Sequence, residues 1–225
     1  MTGAIVVVNL HSGLKDDSQL FFPLRADTRW TYSVYSQTQR AKYLIFDVAK
    51  GFAYIDKLQR RCLIVDETYN IERGGTRPVI YCSSDGFFTR LSGLEYNGDK
   101  IEFPPFSFSD ERQFLPLSLH PDRIWSNVIY PFGRLSHNAP TISQSHRSFA
   151  ETQEIIVPAG RFGGCLRVET TAKFTGGAYR EPLILQYFDW YARNVGLVKT
   201  IAREKDRNGN IVEDVELIEF HRPTA

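Results

Sequence analysis

The sequence predicts an all-β protein built from a single strongly curved antiparallel sheet, a meander that closes into a half-barrel or barrel with little helix. Aromatic residues are abundant, with 16 Phe, 11 Tyr and 3 Trp, and they favour pleated, half-buried surfaces. Asn-Gly and Asp-Gly pairs recur between β-rich runs, and such pairs permit the positive φ angles of tight hairpins. No segment carries apolar residues at helical spacing over three turns. Strands joined by tight turns are antiparallel neighbours, which gives the meander.

The first strands are expected after a short N-terminal segment. Residues 1–20 are predicted to be an arm or a first strand, because MTGAIVVVNL lacks the basic region and the cleavage site of a signal peptide. The run RWTYSVYS places Trp30, Tyr32, Val34 and Ser36 on one face of a strand. The run KYLIFDVAKGFAYIDKL is predicted to supply two more strands around a turn at Lys50-Gly51.

Further hairpins are predicted from their turn residues, with tips at Gly74-Gly75, Asp85-Gly86, Asn97-Gly98 and Asn208-Gly209. The stretch IIVPAGRFGGCLRVE, residues 155–169, raises a separate question because its glycines could cradle a phosphate. A phosphate cradle leads into a helix, or has a Lys-Ser or Lys-Thr pair after the glycines. Here a β-rich run follows, so the stretch is predicted to be a hairpin or bulged turn.

The three cysteines are predicted to be free thiols. With the tip of their hairpin at Gly74-Gly75, Cys82 would lie opposite position 67 and Cys62 opposite position 87. That offset of about five residues corresponds to ~16 Å along a strand, and a disulfide needs Cα atoms within ~7 Å. Cys165 is expected to be buried in the core, as free cysteines commonly are.

Two long connections interrupt the meander. Residues 103–122 form an apolar, proline-rich segment that is predicted to be a loop covering the core, an opening or a partner surface. The candidate ligand- or partner-binding residues here are Phe103, Phe106, Phe108, Phe114 and the nearby Trp125. The stretch YPFGRLSHNAPTISQSHRS, which follows Trp125, is predicted to be a polar surface loop.

Enzyme chemistry is weakly indicated, and no catalytic residue is predicted. The Ser/His-rich loop 131–147 contains Ser136, His137, Ser145 and His146, but the chain has no G-x-S-x-G nucleophile motif. A hydrolase that uses this loop is therefore the third functional alternative. The chain contains neither a CxxC pair nor two closely spaced histidines, so no metal site is predicted. No cofactor is expected.

Charge and hydropathy argue against a nucleic-acid-binding protein and against a transmembrane helix. The formal net charge is +1, and no run of Lys or Arg could follow a phosphate backbone, so nucleic-acid binding is not expected. No stretch approaches the ~20 apolar residues of a transmembrane helix.

The run LQYFDWYARNVGLVK places four aromatic residues on one strand. Alternation puts Phe188 and Trp190 on one face and Tyr187 and Tyr191 on the other. The first pair is either core, with a tyrosine-lined outer face, or the wall of an apolar cavity with phenols at its rim. Phe188 and Trp190 therefore join the candidate ligand- or partner-binding residues.

Three motifs in order carry a resemblance to a family. FFPLRADTRWTYSV, VPAGRFGGCLRVE and YARNVGLVK resemble the patterns F-P-L-x-x-G-x-x-W-x-Y, P-A-G-x-F-x-x-C and Y-A-x-G-V-G-x-V-K of bacterial exported or lipid-anchored β proteins of unknown function. The match spans about Phe22 to Lys199. The resemblance implies a curved antiparallel sheet, similar in shape to the lipoprotein-carrier half-barrels, and no known catalytic residue. It aligns Trp30, Phe162 and Cys165 with motif positions that we interpret as core.

Two departures from these motifs concern backbone conformation. Asp27 stands where the first motif has glycine, and Arg193-Asn194 stands where Pro-Gly is common. Asn tolerates positive φ, so the second turn is expected to survive.

These observations predict a single domain over residues 1–225 with one of two main functions. The first is a non-catalytic protein that binds an apolar ligand, such as a lipid or acyl chain, or a lipoprotein in the bacterial cell envelope. The second is an accessory or interaction subunit of an envelope or membrane-associated complex, without a small-molecule ligand. The resemblance implies a periplasmic or envelope location, whereas the lack of a signal peptide in the chain leaves the cytoplasm open. The sequence does not indicate the oligomeric state.

Overall fold

The computed structural model contains one large β-sheet and two small ones. It describes residues 21–22, 25–37, 41–55, 58–71, 75–84, 86–91, 94–97, 100–102, 112–117, 120–129, 141–151, 154–176, 179–205 and 210–223. The strands within these ranges are β1 (Arg29–Ser36), β2 (Ala41–Ile55), β3 (Arg60–Tyr69), β4 (Thr76–Ser84), β5 (Phe87–Leu91), β6 (Glu95–Asn97), β7 (Lys100–Glu102), β8 (Arg112–Pro116), β9 (Ile124–Ile129), β10 (Thr141–Ala150), β11 (Ile155–Val157), β12 (Gly160–Phe162), β13 (Leu166–Gly176), β14 (Tyr179–Ala192), β15 (Gly196–Glu204) and β16 (Ile211–His221). The predicted all-β class is confirmed.

The large sheet has twelve strands among the described residues, in the order β8-β5-β4-β3-β2-β1-β16-β15-β14-β13-β10-β9. Every pairing whose register is resolved is antiparallel, and most neighbours are consecutive in the chain, as a meander requires. The pairing of β1 with β16 joins the first and last parts of the chain. The strand pairs β6–β7 and β11–β12 form separate two-stranded sheets.

Side chains close the curvature of the large sheet where its hydrogen bonds do not. The edge strands β8 and β9 have Cα atoms within 8 Å of each other, but no backbone ladder links them in the described ranges. Phe88 and Leu115, from one end of the sheet, share a buried cluster with Trp125 and Leu166, from the other end. The sheet is therefore strongly curved and barrel-like, as predicted.

The predicted inward face of β1 is confirmed. Trp30, Tyr32, Val34 and Ser36 are all buried, in strict alternation along the strand. The indole Nε1–H of Trp30 donates a hydrogen bond of 2.6 Å to the Val195 carbonyl, which fixes the ring against the turn between β14 and β15. The core role expected of Trp30 is therefore confirmed.

Two of the predicted turns have different outcomes. Ser84 pairs with Phe87, and Gly86 has a φ of 78°, which agrees with the predicted tight turn between β4 and β5. The turn at Lys50-Gly51 is wrong, because β2 continues through it as one strand with a bulge between Ala49 and Gly51. Gly51 has a φ of 117°, and the conformational freedom that suggested a turn is used for the bulge instead.

The small hairpin β6–β7 is displaced by one residue from the prediction. Asn97 pairs with Lys100 and therefore belongs to strand β6, whereas the prediction placed it in the tip. The predicted tip at Asn208-Gly209 lies outside the described residues. So do the N-terminal arm at residues 1–20 and the candidates Phe103, Phe106 and Phe108.

The prediction of three free thiols is wrong, because Cys62 and Cys82 form a disulfide with a Cα–Cα distance of 4.4 Å. Strand β3 ends at Tyr69 and β4 begins at Thr76, so the connection is longer than a tight Gly-Gly turn. Thr68 pairs with Thr76, which centres the connection two to three residues before Gly74-Gly75 and places Cys62 directly opposite Cys82. Cys165 is free and buried, as predicted.

The two long connections also contain strands. Within residues 103–122, Arg112–Pro116 forms the edge strand β8, where the missing amide of Pro116 is tolerated. The predicted polar loop after Trp125 is wrong in its second half, because Thr141–Ala150 forms β10 between β9 and β13. Serines and threonines alternate there with larger residues, a strand pattern that the polar composition obscured.

The glycine-rich stretch is a hairpin, as predicted. Val157 pairs with Gly160 across Pro158 and Ala159, and β13 follows the later glycines. The Ala159 amide donates to the Leu217 carbonyl, and Val157 packs in the main buried cluster with Cys165. The stretch therefore docks a small hairpin on the large sheet.

Both departures from the family motifs preserve the backbone conformation. Asp27 has a φ of 62° and Asn194 a φ of 60°. Asp and Asn enter this left-handed region more readily than other non-glycine residues. The expectation for Asn194 is confirmed.

Candidate functional site

A cavity of about 400 Å³ lies on the concave side of the curved sheet. Its wall takes side chains from every strand of the large sheet except β9, together with Phe22. The apolar part of the wall consists of Phe22, Trp30, Ile45, Leu63, Val65, Leu115, Val168, Leu197 and Val215. Alternation along each strand directs these side chains inward, so the cavity follows from the curvature of the sheet.

A polar cluster lies on the β2–β5 part of the wall. Arg90 donates from Nη2 to Glu67 Oε2 and from Nε to the Tyr81 hydroxyl, both at 3.2 Å. The Tyr69 hydroxyl donates to the other oxygen of Glu67. Asp47 lies directly opposite Glu67 in the register of β2 and β3. The Arg90 guanidinium therefore contacts the carboxylate of Glu67 and also acts electrostatically on the carboxyl group of Asp47.

Asp47 is the least satisfied of these groups. Its Oδ1 atom is inaccessible to solvent and has no hydrogen-bond partner among the described residues. Burial, followed by the negative charge of Glu67, raises its pKa from 3.8 to about 8, although Arg90 acts in the opposite direction. The carboxyl group of Asp47 is therefore mostly protonated at neutral pH.

A second polar group lies on β14, β15 and β16. The Thr200 hydroxyl donates to Asp189 Oδ1 at 2.7 Å. Burial raises the pKa of Asp189 from 3.8 to about 6, with Glu213 adding to the effect and the Thr200 hydrogen bond opposing it. Burial also raises the pKa of Glu213. Both carboxyl groups line the cavity.

His146 and Thr170 form a third polar position, on β10 and β13. His146 Nδ1 lies 2.7 Å from the Thr170 hydroxyl oxygen, and burial lowers the histidine pKa to about 4, so the ring is neutral at physiological pH. The imidazole ring of His146 stacks on the indole ring of Trp125, with ring centroids 4.9 Å apart. His146 Nε2 and Trp125 Nε1 are both buried without a hydrogen-bond partner in the described structure.

The charge balance of the cavity is acidic. Its described wall contains four carboxyl groups, from Asp47, Glu67, Asp189 and Glu213, and one guanidinium, from Arg90. The described residues contain no cluster of three or more His, Cys, Asp or Glu side chains that could hold a metal ion. The arrangement can therefore supply hydrogen-bond donors, acceptors and negative charge to a bound molecule.

Of the residues predicted as ligand- or partner-binding, the described Trp125, Phe188 and Trp190 do not line this cavity. Trp125 is buried behind His146. Phe188 and Trp190 are half-buried on the other face of β14, because Tyr187, Asp189 and Tyr191 take the cavity face. Their rings stack on each other at 6.4 Å, and Trp190 Nε1 donates to Glu151. The backbone of Phe114 lies in edge strand β8.

The Ser/His pair on β10 does not form a catalytic dyad. Ser145 is exposed and His146 is buried, because adjacent residues of a strand point to opposite faces. The described hydrogen-bond partner of His146 is the hydroxyl of Thr170. Ser136 and His137 lie outside the described residues.

The sequence does contain a signal for the polar cavity wall. In the run YLIFDVA, Asp47 lies on the same face of the strand as Ile45 and Ala49. In YFDWY, Asp189 lies on the same face as the two tyrosines. Both faces of each strand are rich in apolar residues, so alternation alone does not select the inward one. The cross-strand pairing of Asp47 with Glu67 requires the register, which the sequence did not fix.

Together the fold and the cavity define a class, the all-β protein whose curved sheet surrounds a binding-sized cavity. No family model matches the chain, and no curated protein matches it. Two solved structures share the fold. One is described as a "putative lipoprotein" of Parabacteroides distasonis, with 17% identity, a TM-score of 0.56, and coverage of 90% of this chain and 98% of that chain.

The second similar structure is described as a "putative exported protein with YmcC-like fold" from Bacteroides fragilis. It has 15% identity and a TM-score of 0.54, and the match covers 90% of this chain and 99% of that chain. The likeness covers almost the whole of each chain, so the fold is shared with bacterial proteins of the exported or lipoprotein type. Within the described residues, no helix is long and apolar enough to cross a membrane.

Proposed function

We propose that this protein is a non-catalytic binding module of the bacterial cell envelope whose curved sheet holds a lipid-like ligand, such as one that carries an acyl chain. The observation that carries the proposal is the cavity of about 400 Å³ inside the sheet. Small-molecule sites usually have volumes of roughly 300–1,000 Å³, mostly apolar walls and a few polar groups that fix orientation. The ligand is therefore a small amphipathic molecule with an apolar body and a polar group.

Two observations support the apolar body. Leu63 and Val65 on β3, and Val168 and Val215 on β13 and β16, present aliphatic surface from both halves of the sheet. Trp30 adds an indole that is held by its hydrogen bond to Val195. Burial of apolar ligand surface against such a wall stabilises a complex by roughly 25 cal/mol per Å².

Two observations support the location in the envelope. The similar solved structures are described as a "putative lipoprotein" and a "putative exported protein". In addition, the Cys62–Cys82 disulfide joins adjacent strands, and disulfides persist mainly in oxidising compartments such as the bacterial periplasm. The two observations are independent, since one concerns the fold and the other the chemistry of two side chains.

The test is the binding of N-phenyl-1-naphthylamine, a fluorophore that is uncharged at neutral pH and brightens in apolar surroundings. The wild-type protein is expected to bind it saturably. Val215→Trp places a large ring in the cavity wall and is expected to weaken binding strongly. Val128→Trp is the matched control, because Val128 is 49% exposed on the edge strand β9. Lack of saturable binding to the wild type, or equal binding by both variants, contradicts the proposal.

The second candidate function is an interaction subunit of an envelope complex. It is favoured by Ile124 and Val128, which are 68% and 49% exposed on the outward face of β9. Exposed apolar side chains that lie together on one face often mark a protein–protein interaction site. If this candidate is correct, the Ile124→Lys/Val128→Lys double variant releases the protein from a larger native assembly of envelope extracts. An unchanged assembly size contradicts it.

A further inference from the structure

We infer that the ligand carries a cationic amine head group that binds against Asp47, while its apolar body occupies the rest of the cavity. This inference rests on the proposed function and names the chemical class of the ligand. It is carried by the cavity, by the unsatisfied carboxyl group of Asp47, and by the aromatic side chains around it.

The first step is the position of Asp47. On β2, Asp47 lies directly opposite Trp30 of the neighbouring strand β1 and directly opposite Glu67 of the other neighbour, β3. The side chain lines the cavity and is partly buried. Its Oδ1 is buried without a hydrogen-bond partner in the described structure. Buried polar atoms normally have a partner, so this oxygen is expected to meet a donor from a bound molecule.

The second step is the shortage of positive charge. Arg90 already contacts Glu67 and the Tyr81 hydroxyl, and it is the single cationic side chain in the described cavity wall. Three more carboxyl groups, including Asp47, share the wall with this ion pair. An ammonium group would donate hydrogen bonds to Asp47 and compensate the carboxylate that forms when Asp47 loses its proton.

The third step is the aromatic surroundings. Trp30, Tyr32, Tyr81 and Tyr191 line the same cavity. The negative charge of Asp47 acts on the phenols of Tyr32 and Tyr81, so these rings lie near it. The faces of Trp and Tyr rings attract ammonium groups, and aromatic cages bind such cations in other proteins. An anionic head group gains neither this attraction nor a charge pair with Asp47, and an uncharged hydroxyl gains a hydrogen bond alone.

The ionisation of Asp47 supplies a readout that a purely structural role would not produce. Burial and Glu67 keep the carboxyl protonated at neutral pH, whereas Arg90 favours ionisation, and the phenols of Tyr32, Tyr69 and Tyr81 stay neutral. An arriving ammonium group stabilises the carboxylate, so Asp47 loses its proton on binding. Amine binding at pH 7 is therefore expected to release close to one proton per ligand.

The experiment compares decylamine, decanol and decanoate, which share a chain and differ in head group, together with ethylamine, which has the same head group and almost no chain. Isothermal titration calorimetry in phosphate and in Tris at pH 7 gives both the affinity and the proton release. Decylamine is expected to bind at least about tenfold more tightly than the other three and to release a proton. Asp47→Asn is expected to remove both the preference and the proton release. The control Asp122→Asn changes an exposed carboxyl group outside the cavity wall and is expected to keep both.

The outcomes separate this inference from the proposed function. If decanol and decanoate bind as tightly as decylamine and no proton is released, the amine head group is refuted while lipid-like binding stands. If ethylamine binds as tightly as decylamine, the amphiphile is refuted in favour of a small amine. If no decyl compound binds, the proposed function fails as well. The comparison of ligands on the wild-type protein does not require any variant to fold.

Discussion

The raised pKa of Asp47 makes a specific prediction for the stability of the folded protein. The folded state holds a proton on Asp47 that the unfolded chain releases above its pKa of 3.8, and this difference persists up to about pH 8. Because the folded state binds more protons in this range, the free energy of unfolding falls as the pH rises through it. The stabilisation of the protonated form is complete at low pH and is lost as the pH passes the folded pKa.

Other buried groups limit the range in which Asp47 can be observed alone. Asp189, with a pKa of about 6, lowers stability in the same direction at lower pH, and the raised pKa of Glu213 acts similarly. His146 acts in the opposite direction, because its pKa is lowered from 6.5 to about 4 and the unfolded chain binds the extra proton. Burial also raises the pKa of Asp214. Because Asp47 has a pKa of about 8, we assign the expected loss of stability between pH 6.5 and about 8 to this carboxyl group.

The expected magnitude follows from these two pKa values. A proton bound by the folded state alone changes the free energy of unfolding by ~1.4 kcal/mol per pH unit. Between pH 6.5 and about 8 the wild type is expected to lose about 1.5 kcal/mol. With a urea m-value of roughly 2–3 kcal/mol/M, the unfolding midpoint falls by about 0.5 M or more.

The assay is urea unfolding at several pH values in this window, followed by tryptophan fluorescence with the disulfide intact. Asp47→Asn carries a neutral side chain of similar shape, so its midpoint is expected to stay constant. Asp189→Asn is the matched control, because its carboxyl group titrates below the window, and its midpoint is expected to fall as in the wild type. A constant wild-type midpoint, or a slope that survives in Asp47→Asn, would refute the burial of Asp47 in the cavity.

Three other predictions follow from the described contacts. Thiol titration in denaturant without reductant is expected to give one thiol per chain, from Cys165, because Cys62 and Cys82 are bonded; a count of three would contradict the disulfide. Asn194→Val is expected to lower the free energy of unfolding by ~1 kcal/mol or more, because Asn194 has a φ of 60°. Asn194→Gly is expected to leave the free energy of unfolding unchanged or to raise it. Equal urea midpoints for the two variants would refute this backbone conformation. Arg90→Met is expected to cost ~3 kcal/mol in urea unfolding, because it leaves a partly buried carboxylate without its guanidinium, and a loss below ~1 kcal/mol would show that the ion pair is unimportant.

The fold class could be predicted from the sequence because local signals determine it. The alternation around Trp30 and Tyr32 and the turn at Asp85-Gly86 each act over a few residues, and the structure retains them. The bulge at Gly51 shows where local signals become ambiguous, since positive φ serves both a turn and a bulge. Only the pairing of β2 with β3 over its full length decides between them.

The disulfide was missed because strand register depends on where the connection is centred. A tip centred at Gly74-Gly75 and a connection centred two to three residues earlier are both compatible with the composition of this region. The difference moves Cys62 from several residues away to a position directly opposite Cys82. Since register depends on a whole strand pair, a single turn signal could not determine it.

The cavity was the hardest feature to predict, because its wall violates the rule that the more apolar face of a strand points inward. On β14 that rule selects Phe188 and Trp190, yet Tyr187, Asp189 and Tyr191 face the cavity. The outward pair is accommodated by contacts on the other face of the sheet, where Trp190 Nε1 donates to Glu151 and the two rings stack. A core selected for stability alone would reverse this arrangement, because a buried carboxyl group costs several kcal/mol unless a partner compensates it. The inward polar face is therefore better explained by a bound molecule than by packing, and the proposed amine and its proton release make that explanation measurable.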